Sequence, residues 1–228
     1  MAEREAATKK KTSVPKDRLT KAIADAKPVI SAAAKQLEKL VEVETSMERA
    51  SLLGSAYKRL ALIAEIEGDA ETEKTAIESM KRYYEQAESI GRDNKIAGLY
   101  YPALNHLSAE FALGTGPVQL DPQRVEAIRA DLDAIVRDKP DFWNVVSQTE
   151  LQLYESLSRG DLAREVHKII AAYDDLHLRI QQEWMWSSVY DQAKFVLPKY
   201  SKRASREEQE AVTRLIDRLR ALSGRTCR

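Results

Sequence analysis

The chain has 228 residues, 43% hydrophobic and 32% charged, with 36 Lys and Arg balancing 36 Asp and Glu. A fold of this length can bury about 70% of its unfolded surface without staples, and zero net charge removes the overall field that would draw nucleic acid or anionic lipid. The single cysteine, Cys227, excludes an internal disulfide or a cysteine-rich metal site, and no apolar run reads as a signal peptide or a membrane span, so a cytoplasmic protein is expected.

Residues 1–14, with Lys9 to Lys11, read as a disordered basic tail. From Asp17, the residues Leu19, Ile23, Ala26, Ile30, Ala33, Leu37 and Leu40 form one helical stripe whose phase survives Pro28. This predicts one long kinked helix or two collinear pieces, ending near Val43. Thr45 and Glu48 have capping-box spacing and open a second helix to about Glu67. Gly68 stops it. Asp69 caps a third, with Ala76, Ile77, Met80, Tyr83, Tyr84 and Ala87 inward and a stop at Gly91.

A fourth helix is predicted from about Asp93 to Leu113, interrupted at Pro102, and Gly114 to Pro117 read as a loop. Asp121 followed by Pro122 is a cap with proline at the first helical position, opening a helix to about Arg137. Asp141 opens another from Phe142 to Ser158, and Gly160 with Asp161 opens one from Leu162 to about Leu178. The next runs from about Gln181 to Leu197, before Pro198. Ser205 and Glu208 form a second capping box, with Val212, Leu215, Ile216, Leu219 and Leu222 as the buried stripe of the last helix.

The expected fold is therefore all-α, about nine helices in a right-handed solenoid of antiparallel pairs. Residues 15–222 would form a single helical-repeat domain, 205–222 its capping helix and 223–228 a flexible tail.

Gly54, Tyr57 and Leu60 return downstream as Gly98, Tyr101 and Leu104, three residues apart on one helical face. Glycine in a helix costs about 1 kcal/mol relative to alanine, so Gly54 and Gly98 are assigned to close helix packing, with Tyr57 filling the gap beside Gly54. These residues resemble the tetratricopeptide repeat: Leu53, Gly54 and Tyr57 match its first helix, and Ala76 with Met80 its second. The unit here is longer than the usual ~34 residues.

The longer unit resembles more narrowly the TRAFs-binding helical region beside the kinase of apoptosis signal-regulating kinases. The match rests on Tyr100 to Asn105, Asp141 to Trp143, Gly160 and Trp186 to Leu197. Bacterial relatives of that region occur in signalling and defence proteins. The resemblance, over residues 47–197, implies a regulatory module that binds a protein partner or senses a nucleotide-like ligand. No kinase or protease accompanies it here, so its effector would be a separate polypeptide.

No catalytic constellation is legible, and no enzyme or cofactor is expected. His106, His167 and His177 lack metal-site spacing, and Gly114 to Gly116 lack the lysine and length of a phosphate loop. The candidates are binding residues. Pro102 beside Tyr100, Tyr101, Asn105 and His106 marks a site where backbone groups would leave the helical ladder. Tyr101 is read either as a packing tyrosine or as a ligand residue. Trp143, Gln148, Glu150 and Tyr154 pose the same choice between packing and ligand contact in the third unit, with Trp143 read as core. Trp184 and Trp186 face opposite ways on one helix, Trp186 inward and Trp184 outward as a partner anchor.

Two functions follow. The first is a non-catalytic adaptor binding a protein in its concave groove. The alternative is a sensor of a small anionic ligand, for which Arg92 and Lys95 are the nearest cations to Tyr101 and Asn105.

Overall fold

The computed structural model describes residues 16–114 and 118–225. They form α1 (Lys16–Val43), α2 (Met47–Glu67), α3 (Ala70–Asp93), α4 (Tyr100–Leu113), α5 (Pro122–Asp138), α6 (Phe142–Arg159), α7 (Leu162–Arg179), α8 (Glu183–Ser201) and α9 (Arg206–Leu222). No strand occurs among the described residues, and no helix is long and apolar enough to cross a membrane. The sequence segments 1–14 and 115–117, and Cys227, lie outside the described residues.

Local chemistry sets most helix ends. Gly68 and Gly160 take positive φ and close α2 and α6. Asp69, Asp121, Asp141 and Ser205 each accept a backbone N–H at the start of the helix that follows. The α2 cap is one residue later than its spacing predicts: Ser46 accepts from Arg49 N, while Thr45 turns back to donate to the Val41 carbonyl.

Glycine and proline mislead in three places. Gly91 does not stop α3, which continues to Asp93; a Cβ there would lie 2.8 Å from Met47 Sδ, so the missing side chain admits the start of α2. Pro102 does not interrupt α4, because the helix begins at Tyr100 and Pro102 sits in its first turn, where an N–H has no helical partner to lose. Pro198 lies inside α8, which runs on to Ser201. Burial of Phe195, Val196, Leu197 and Tyr200 holds the helix together across it.

The helices stack in chain order at first: α1 on α2, α2 on α3, α3 on α4, then α5 on α6 and α6 on α7. The order then breaks. It is α9 that packs along α7, while α8 is held between α9 and α4. Lys199 of α8 reaches Glu65 and Glu73 at 3.3 and 3.1 Å, and Arg203, just beyond α8, donates to the carbonyls of Phe111 and Gly114. Thus α8 folds back toward α2 and α4, and one apolar core runs from α2 to α9. A smaller cluster of Ala34, Leu53, Ala56 and Tyr83 seats α1.

The two repeated glycines have different jobs. Gly54 lies face to face with Tyr84, where a Cβ would come within 2.6 Å of Cδ2. The residue filling that space is Tyr84 of α3, not Tyr57, which stacks on Tyr83 at 5.6 Å and donates to Glu38 on α1 at 2.6 Å. Gly98 is not a packing glycine. It sits in the turn before α4 with φ of +88°, and nothing lies within 4 Å of where its Cβ would be, so the backbone conformation alone calls for glycine. The chain after α9 is also tied down further than its sequence suggests: Ser223 is buried, and Arg225 grips both carboxylate oxygens of Asp191 at 2.6 and 3.0 Å.

Candidate functional site

Between α2, α4, α6 and α8 lies a groove of about 550 Å³. Its apolar walls come from Leu62, Leu104, Val146, Val189 and Val196, with Tyr84, Tyr100, Tyr101, Trp143 and Tyr154 adding aromatic surface. Tyr84 meets Tyr101 edge to face at 6.2 Å, so Gly54 acts on the groove indirectly, by letting Tyr84 sit there.

A chain of polar side chains crosses the groove. Lys58 Nζ of α2 donates to Asn105 Oδ1 of α4 at 3.3 Å and to Gln192 Oε1 of α8. Gln192 in turn donates to Glu150 Oε1 and to the Tyr154 hydroxyl, at 2.9 and 3.0 Å, and Tyr154 donates to Glu150 at 2.5 Å. Glu150 is thereby occupied by neutral donors, and Asp191 by Arg225. Neither Lys58 nor its neighbour Arg59 forms an ion pair among the described residues; Arg59 donates to the Ser55 carbonyl and hydroxyl at 3.0 and 2.5 Å. Burial pushes the Lys58 ammonium down to about 8, with Glu150 opposing and Arg59 adding to the fall.

Tyr100, Tyr101 and Asn105 all line this groove. Tyr101 is 46% exposed, which separates it from the core tyrosines. Asn105 Nδ2 donates to the Tyr101 carbonyl at 2.9 Å, leaving its oxygen for Lys58. Asp131 of α5 sets this turn in place by accepting from Gly98 N and Tyr100 N at 3.2 and 2.9 Å. His106 faces away, into a buried cluster with Glu88 and Arg124.

Trp143 is not core: it is 38% exposed at the groove rim, with its ring centre 5.8 Å from that of Trp184, itself 61% exposed. Trp186 is fully buried. Gln148 leaves the site to bond Asp133. Arg92 and Lys95 do not line the groove, and Arg92 instead pairs with Glu88 and Asp93. The cations that do are Lys58 and Arg59, which sequence reasoning missed. Their one local signal is position, directly after Tyr57 on the glycine-marked helix. No group of three or more His, Cys, Asp or Glu among the described residues is placed to hold a metal.

Residues 3–113, just under half the chain, match the model of the family described as Tetratricopeptide Repeats-Sensor. The chain carries a tetratricopeptide-like helical region. The match ends at the last residue of α4 and so takes in Lys58, Arg59, Tyr101 and Asn105 but not Trp143, Glu150 or Gln192. No curated protein and no solved structure gives a significant match.

Proposed function

We propose that this chain is a non-catalytic sensor module whose groove receives a small anionic ligand bearing a flat ring, such as a nucleotide, and whose occupancy is read by an effector in the cytoplasm. The observation that carries the reading is the pair Lys58 and Arg59, two cations without carboxylate partners among the described residues, on a cavity walled by Tyr101 and Trp143. A partly buried cation held only by neutral oxygens keeps much of its field for a ligand, and an aromatic wall offers a stacking surface that water does not use well. A volume of about 550 Å³ is in the range of small-molecule sites. The word Sensor in the matched family's description points the same way.

Calorimetric titration of the full chain with mono- and dinucleotides tests it. One of them should bind, and Arg59→Ala and Trp143→Ala should each weaken that binding about tenfold or more without loss of fold. A ligand bound equally well by both variants would remove the groove from consideration.

The adaptor reading rests on a different surface. Trp184 is 61% exposed and lies against Trp143 at the rim, an arrangement suited to anchoring a protein. If Trp184→Ala abolishes effector association while nucleotide binding persists, the two functions coexist on adjacent surfaces.

A further inference from the structure

Lys58 differs in its surroundings from other lysines of the fold. Lys199 lies over the same Phe195 ring, at 5.0 Å against 5.5 Å for Lys58, yet has Glu65 and Glu73 within 3.3 Å. Lys168 sits 2.8 Å from Glu165. Lys58 has instead a benzene face on one side, the guanidinium of Arg59 as its chain neighbour, and two amide oxygens, Asn105 Oδ1 and Gln192 Oε1, as hydrogen-bond partners.

An ammonium carries three donors and no acceptor. A neutral amine carries two N–H groups and a lone pair, so two amide oxygens satisfy it completely and leave the lone pair as its remaining position. Desolvation beside a second cation is the setting in which lysines act as nucleophiles.

We propose that Lys58 is a nucleophilic amine that captures an aldehyde carried on a small anionic ligand as a reversible imine. This rests on the reading of the groove as a receptor for small anions. The Nζ lone pair attacks the carbonyl carbon and a C–N bond forms. Both amine protons then depart with the carbonyl oxygen as water, leaving C=N; nothing is oxidised or reduced. Arg59 supplies the counter-charge for the anionic end of the ligand. The fall of the Lys58 ammonium to about 8 gives roughly 300-fold more neutral amine near pH 7 than an ordinary lysine has, and the accompanying loss of basicity takes back part of that gain.

The test uses the full chain and pyridoxal 5′-phosphate, an aldehyde with a ring and a phosphate, at low molar excess, with timed borohydride reduction and peptide mapping. Lys58 should acquire the reduced adduct at least about tenfold faster than exposed Lys74 and Lys168. Arg59→Ala should slow that labelling several-fold, and should slow labelling by unphosphorylated pyridoxal distinctly less, because both reactions lose the cation that lowers the Lys58 ammonium but only the phosphorylated aldehyde also loses its counter-charge. Labelling of Lys58 no faster than that of Lys74 overturns the proposal. If a nucleotide still binds the groove in calorimetry, the receptor reading survives that failure; if none binds, both fall.

Discussion

On one side of α4, His106 and Glu110 join Glu88 of α3 and Arg124 of α5 in a buried ionic cluster. On the other, Tyr101, Leu104 and Asn105 face the groove, where Lys58 and Arg59 end on neutral oxygens. In the cluster, Arg124 meets Glu88 at 2.6 and 2.7 Å and Glu110 at 2.9 Å, and His106 Nδ1 lies 2.6 Å from Glu88. Burial alone would raise the Glu88 carboxyl, but hydrogen bonds from His106 and Arg124 outweigh it and hold the group below its usual value. The cluster pairs its arginine with two carboxylates and ties three helices together; the groove leaves charge over. That difference separates a structural polar interior from one suited to a ligand.

The comparison breaks most easily at Arg124. Arg124→Ala strands two carboxylates and should cost about 3–5 kcal/mol in urea denaturation, while ligand affinity measured on the folded fraction stays unchanged. The same cluster sets an acid limit. A carboxyl depressed in the folded state contributes stability that is present above its unfolded value and lost as pH falls through the folded one. Stability should therefore drop more steeply below about pH 4.5 in the native chain than in Glu88→Gln.

Next in size are the two glycines, which sort packing from conformation. Gly54→Val forces a side chain into Tyr84 and should cost about 1–3 kcal/mol, with weakened ligand binding because Tyr84 lines the groove. Gly98→Ala meets no atom but must hold a positive φ, costing about 1–2 kcal/mol. Its effect on binding, through Tyr101, should be smaller. Thermal unfolding and titration of both variants separate the cases.

The smallest expected change in stability belongs to Lys58. Lys58→Met should leave folding near neutral pH unchanged or improved by about 1 kcal/mol, since it removes a charge that burial disfavours. The unfolded chain holds a proton on Lys58 that the folded chain has released between about pH 8 and 10.5. Native stability should thus rise relative to Lys58→Met across that window. A flat difference between the two proteins would place the Lys58 ammonium at its ordinary value and weaken the contrast with the cluster.

Much of this architecture is legible in the chain because helix ends are local events. A short polar side chain before an apolar period, or a glycine after one, needs only its own turn to act, as Asp69, Asp141 and Gly160 show. The misreadings arise where a distant helix takes over a local partner. Glu208 has the spacing of a capping box, yet its carboxylate accepts from Ala163 N at 2.7 Å and from the Tyr200 hydroxyl at 2.8 Å. It caps α7, whose own Asp161 is drawn off by Ser156, Arg159 and Arg164. Asp131 likewise holds the start of α4 from α5.

The periodicity and punctuation of the sequence determined an all-helical repeat, because 3.6-residue spacing and capping depend on neighbours within a turn. The groove was decided by tertiary structure alone. Its floor forms only when α8 leaves the stacking order and lies back toward α2 and α4, bringing Gln192 to Lys58 across more than half the chain. Whether a lysine is solvated, ion-paired or held by amides depends on which helix arrives opposite it, and no property of the segment around Lys58 encodes that arrival.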